Sequence, residues 1–142
     1  MIIADTSGLL ALFNAKEPAH DAVVAALAAT DQILVVSPYV VAELDYLAAT
    51  RMGTKDELAV IRELASGAYE HPSMTDDDLR ASAEVIERYE DQQIGFTDAS
   101  LVVLAHRYRT TTILTLDRRH FDVLRPLNRG RFNLLPAHGS YA

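Results

Sequence analysis

The sequence predicts an α/β fold with a mainly parallel central sheet of about five short strands and helices on both sides. Three observations carry that prediction. Short apolar or β-branched runs such as "MIIAD", "QILVVS" and "TTILTL" read as buried strands. Segments of helical periodicity alternate with them along the chain. Two of the runs lead directly into an aspartate, Asp5 and Asp117. Those are equivalent places, because functional sites in such sheets gather at the carboxyl ends of strands.

Each element has its own signal. After the strand at "MIIAD", "SGLLALF" reads as a helix with Ser7 as its cap. "EPAHDAVVAALAAT" is helical, with Pro18 tolerated in the first turn. "QILVVS" is the second strand, and Pro38 opens a helix running to about Arg51. Thr54 is placed to cap a helix from Lys55 to Ser66. "AYEHP" is a weak strand. Thr75 and the acidic turn after it are a strong helix start for "TDDDLRASAEVIERYED". Gly95 marks a turn before the helix "TDASLVVLAHRYR", "TTILTL" is the clearest strand, and "RFNLL" is a short last one. No repeat, low-complexity tract or linker interrupts the series, so one domain over residues 1–142 is expected.

Composition narrows the chemistry. With 23% charged residues and 49% hydrophobic ones, the chain has the balance of a globular protein. It has no cysteine, which excludes disulfides, thiolate metal sites and cysteine nucleophiles. No basic leader precedes Asp5, and the apolar stretch "AVVAALAA" is far too short for a bilayer. A cytoplasmic protein without membrane contact is expected. The net charge of −7 is unevenly spread: residues 1–98 hold 6 Lys+Arg against 18 Asp+Glu, and residues 99–142 hold 7 Arg against 2 Asp. An acidic body with a basic last third suits a phosphate-contacting rim, or simply solvated arginines on helix faces.

Four acids stand out. Asp5 lies between two apolar segments, where an unpartnered carboxylate is costly. In "PYVVAELDYLAAT", Glu43 shares a helical stripe with Val40 and Leu47. In "TDASLVVLAHRY", Asp98 precedes Leu101, Val102 and Ala105 on the core-facing stripe, so both acids are expected to face inward. Singly, each has an ordinary explanation in capping, the helix dipole or a nearby base. Together, close carboxylate pairs would repel by roughly 4 kcal/mol at an effective dielectric of 20. Their segments supply no basic residue on the same stripe. A hard divalent cation, Mg²⁺ or Mn²⁺, suits an all-oxygen set, whereas the five histidines show no zinc-ligand spacing. Thr6, Ser7 and Thr115 flank the acids and are candidates to orient ligands or bound water, or merely to cap. Carboxylate-held metal at a strand-end cleft is the equipment for phosphodiester hydrolysis.

The ordered series "MIIADTSGLLALF", "VSPYVVAELDYL", "FTDASLVVLAHRY" and "ILTLDRRHF" resembles the PIN-domain ribonucleases, specifically the VapC-type toxins of bacterial toxin–antitoxin pairs. The resemblance covers residue 1 to about 135, and its weight lies in four acidic motifs in this order. It implies a PIN-like fold, Mg²⁺- or Mn²⁺-dependent endoribonuclease activity, homodimerisation and inhibition by a cognate antitoxin protein. The family's acids fall on Asp5, Glu43, Asp98 and Asp117, and Asp91 matches a further acid held as an outer ligand. Many members carry an acid just before the phenylalanine of the last motif, where this chain has His120. The number of metal ions stays open on that account. Arg118 and Arg119 at the rim, with Arg107, Arg109, Arg125, Arg129 and Arg131, are the candidates for RNA phosphate contacts.

Other readings fit less well. A haloacid-dehalogenase-like phosphatase needs an acid two residues after its nucleophile, where Ser7 stands. A receiver domain needs a late lysine, and the only lysines are Lys16 and Lys55. No phosphate-loop motif occurs. The remaining alternative is a non-catalytic PIN-like module that binds RNA or protein.

Overall fold

The computed structural model describes residues 1–138. Its centre is a parallel sheet built from β1 (Ile2–Ala4), β2 (Leu34–Val35), β3 (Thr112–Leu114) and β4 (Asn133–Leu135) in the order β2-β1-β3-β4. Ile3 pairs with Val35 on one side and Ile113 on the other, and Leu114 pairs with Leu135. Every residue of β1 is buried, which requires helices over both faces. The fifth expected strand, "AYEHP", is reduced to one parallel bridge between Val35 and Glu70. Pro72, two residues on, has no N–H with which to lengthen it.

Among the described residues, seven α-helices surround the sheet: α1 (Thr6–Phe13), α2 (His20–Ala28), α3 (Pro38–Met52), α4 (Thr54–Leu64), α5 (Asp76–Arg88), α6 (Phe96–Arg107) and α7 (Arg118–Phe121). α3 starts as expected, with Pro38 in its first turn and the Ser37 hydroxyl accepting from the Val40 N–H. α5 has a full capping box between Thr75 and Asp78. Some starts differ from expectation: α2 begins at His20, which leaves Pro18 before the helix rather than in its first turn. The side chain that caps α1 belongs to Asp5, not Ser7. Gly53, at φ 96°, precedes α4, so Thr54 is its first helical residue and the helix ends at Leu64 rather than Ser66.

α6 has an unbroken buried run, Ala99 through Ala105, including the stripe Leu101, Val102 and Ala105. Its last turn is tied to α5 by Arg107, which donates to Asp78 at 2.9 Å and to the Ser73 carbonyl at 2.7 Å. α1 lies so close to β3 that a methyl group at Gly8 would sit 2.6 Å from Leu114 Cγ and 2.7 Å from its carbonyl oxygen. Among the described residues, no helix is long and apolar enough to cross a membrane.

Candidate functional site

β1 and β3 are neighbours and run the same way, so the residues after each emerge side by side. The Asp5 N–H donates to the Leu114 carbonyl at 2.9 Å, which fixes Asp5 against the end of β3. Its Oδ1 accepts from the Thr6 N–H at 2.8 Å. Its Oδ2 accepts from the hydroxyls of Thr115 at 2.7 Å and Ser7 at 3.2 Å. Thr115 is wholly buried, and its hydroxyl also accepts from the Asp117 N–H at 2.9 Å. The Ser7 hydroxyl accepts from the Leu116 N–H at 2.9 Å. The flanking hydroxyls thus stitch the two strand ends together.

The other acids reach the same place from helices. Asp98 sits in the first turn of α6, and Asp117 caps α7 by accepting from the His120 N–H at 3.1 Å. Glu43 departs from expectation: it is exposed, at the cleft wall rather than in the interior. The helix α3 turns Val40, Leu44 and Ala48 inward, which leaves Glu43 beside that stripe. Its carboxylate is nevertheless held in place by the Thr6 hydroxyl at 2.6 Å. All four acids line one cleft of about 510 Å³.

The carboxylates are under electrostatic pressure. Burial raises the Asp5 carboxyl above its ordinary range, and the Asp117 charge adds to it, against hydrogen bonds from Thr115, Thr6 and Ser7. Burial, with the charges of Asp5 and Asp117, pushes Asp98 up to about 6 despite the opposing effect of His120. A site that strains to hold negative charge in a confined space is matched to a cation. The chemistry of the donors agrees: ligand atoms of Asp98, Asp117 and His120 lie within 4.8 Å of one another, with Asp5 and Glu43 in the same cleft. Oxygen donors predominate, as a hard divalent ion requires.

Some predicted residues are not brought here. Asp91 lies in a short 3-10 turn, Glu90–Gln92, exposed and facing a separate surface cavity with Glu87 and Arg88. Arg107 is committed to Asp78 and Ser73, and Arg109 lines a different cavity with His106 and Asn128. Arg125 is spent on the carbonyls of Asp122, Val123 and Leu124. Arg118 and Arg119 do lie beside Asp117, exposed on α7, with Arg118 3.5 Å from Asp122. Sequence reasoning did not bring Tyr46, Arg51 and Phe96 to the cleft, and it treated His120 only as a departure. The signal for His120 was its spacing, one helical turn after Asp117.

Comparison with known proteins places the chain in a family. Residues 2–125 match the PIN domain family. The chain is 56% identical over 135 residues to Ribonuclease VapC26 of Mycobacterium tuberculosis, covering 95% of this chain and 100% of that protein. Among solved structures it is similar to Mycobacterium tuberculosis VapC20, described as a sarcin-ricin loop cleaving toxin (TM-score 0.77, 21% identity, 83% of this chain and 91% of that one). It is also similar to a chain of a toxin–antitoxin complex from Klebsiella pneumoniae (TM-score 0.70, 17% identity, 89% and 94%) and of VapBC2 from Rickettsia felis bound to a promoter DNA fragment (TM-score 0.69, 18% identity, 94% and 98%). By its matched residues and its fold, the chain belongs to the PIN domain family, among the VapC-type proteins.

Proposed function

We propose that the protein is a metal-dependent endoribonuclease and the toxin of a toxin–antitoxin pair. One observation carries the reading: Asp5, Glu43, Asp98 and Asp117 line a single cleft, and the more buried of them resist ionisation. These four would hold Mg²⁺ or Mn²⁺. Such an ion, when bound, lowers the pKa of a coordinated water and offsets charge on the phosphate.

The chain's own residues do the rest. Thr115, Ser7 and the Thr6 N–H lock Asp5 so that little motion remains to be frozen when a ligand arrives. Thr6 holds Glu43 from the opposite wall. Arg118 and Arg119, exposed on α7 next to Asp117, would contact the RNA backbone. The 56% identity to a protein named a ribonuclease supports this activity, and the complexes among the structural neighbours support a cognate antitoxin partner. A homodimer acting in the cytoplasm, each copy a single domain over 1–142, completes the proposal. Retention of all four acids disfavours a non-catalytic binding module.

The test is cleavage of a mixed structured RNA pool with EDTA, Mg²⁺ or Mn²⁺, beside Asp98→Asn. Cleavage that needs both the metal and Asp98 is expected. Absence of cleavage, with no metal-dependent rise in melting temperature, would move the protein to the binding-module class.

A further inference from the structure

His120 is the cleft-side group for which the four-acid scheme has no role. Its Nδ1 lies 2.9 Å from Asp98 Oδ2 and 3.0 Å from Asp117 Oδ2. Those separations have a second meaning. Two ligands at right angles on an ion with bonds of about 2.1 Å stand about 3.0 Å apart, the spacing found here on both sides of Nδ1. The two separations are also the distances of hydrogen bonds from a ring N–H, so an ion bound by these three side chains would take the place of that proton.

Its backbone fixes it there. His120 is in α7, its N–H donates to Asp117 Oδ1, and its carbonyl accepts from Leu124 at 2.9 Å. Phe121, the next residue, is buried and packs edge-on against Phe132, anchoring the short helix. The two carboxylates each keep one oxygen on the imidazole, and Asp117 uses its other oxygen for the cap. The three side chains are pre-arranged before any ion arrives.

The geometry points to His120 as a nitrogen ligand that joins Asp98 and Asp117 on the metal ion. This rests on the ribonuclease reading, since it concerns the same cleft. The consequence is a change of metal preference. Mg²⁺ favours oxygen donors, whereas an imidazole nitrogen strengthens binding of Mn²⁺ and later first-row ions. The site should therefore bind Mn²⁺ at least about tenfold more tightly than Mg²⁺, and His120→Asp should narrow that ratio.

Electron spin-echo spectroscopy of the Mn²⁺-loaded full chain, without RNA, tests the assignment directly. A ¹⁴N modulation of imidazole type is expected in the unsubstituted protein, absent in His120→Asp, and altered when the histidines carry ¹⁵N. Calorimetry with Mn²⁺ and Mg²⁺ on both proteins supplies the affinity ratio. Mn²⁺ binding without nitrogen modulation would overturn the assignment and make the imidazole a placeholder that the ion displaces. Modulation that persists in a folded His120→Asp would assign it to another histidine, with the same effect. If neither ion binds at all, the ribonuclease proposal fails together with it, and that outcome is distinct from the other two.

Discussion

Asp5 carries two loads with its two oxygens, one capping α1 and the other held by Thr115 and Ser7 in the cleft. Asp98 shows most clearly what such crowding costs. Its carboxyl titrates near 6, above the ordinary 3.8, so the folded chain keeps a proton that the unfolded chain has released between those values. The unfolded state binds fewer protons in that window, and the contribution of Asp98 to stability therefore falls as pH rises from about 4 to about 6. With chelator present, the melting temperature of the unsubstituted protein should fall relative to Asp98→Asn across that range, and the gap should be widest above pH 6. Equal slopes for the two proteins would show that the carboxyl is not strained. Glu43 is the instructive contrast: its place in the motif series was legible, yet its exposure was not. A stripe shared with Val40 and Leu47 does not say which side of the stripe an edge residue takes, and Leu44 and Ala48 decided it.

At the level of elements, most of the sheet could be read from the chain, because β-branched runs of strand length leave little choice once helices alternate with them. The weak run at "AYEHP" shrank to one bridge at Glu70, since Pro72 and the exposed backbone around it do not sustain a ladder. Helix starts were legible where a proline or a capping side chain was unambiguous, as at Pro38 and Thr75, and misread where two candidates stood close together, as with Asp5 and Ser7. The packing of α1 on β3 was invisible in sequence and leaves no room for a methyl group at Gly8. Gly8→Ala would force its methyl into the Leu114 backbone, which cannot step aside as a side-chain tip would. A loss of about 1–3 kcal/mol is expected. Because α1 carries Thr6 and Ser7, the metal-dependent rise in melting temperature should shrink as well. Denaturant melts with and without Mn²⁺ would measure both effects, and an unchanged midpoint would mean that α1 shifts freely on the sheet.

The whole molecule divides by charge, with a net −12 over residues 1–98 and +5 over residues 99–142. That asymmetry was plain in the sequence, but which arginines serve it was not, because a side chain's partners depend on what the fold places beside it. Arg107 turned out to join α5 to α6, while Arg118 and Arg119 lie exposed on α7 next to Asp117, Arg118 lining a separate cavity with Arg125 and Arg131. Binding of single-stranded RNA to the inert Asp98→Asn protein should separate the two roles. Removing Arg118 and Arg119 should flatten the salt dependence by about 0.7 in log–log slope for each phosphate no longer neutralised. Arg107→Ala should leave that slope alone and instead lower stability by about 1 kcal/mol. The reverse pattern would place the RNA track along α5 and α6.

The bond from Thr115 to Asp5 joins residues separated by 110 positions. Asp5 is made before the strand that completes its surroundings. At about 5–20 residues per second, roughly 5–20 seconds pass between the synthesis of the two. Until then α6 and α7 are missing or unplaced, and Asp5 faces neither Asp98 nor Asp117. A nascent chain consequently carries its acids apart, and they meet only when the end of β3 docks beside β1.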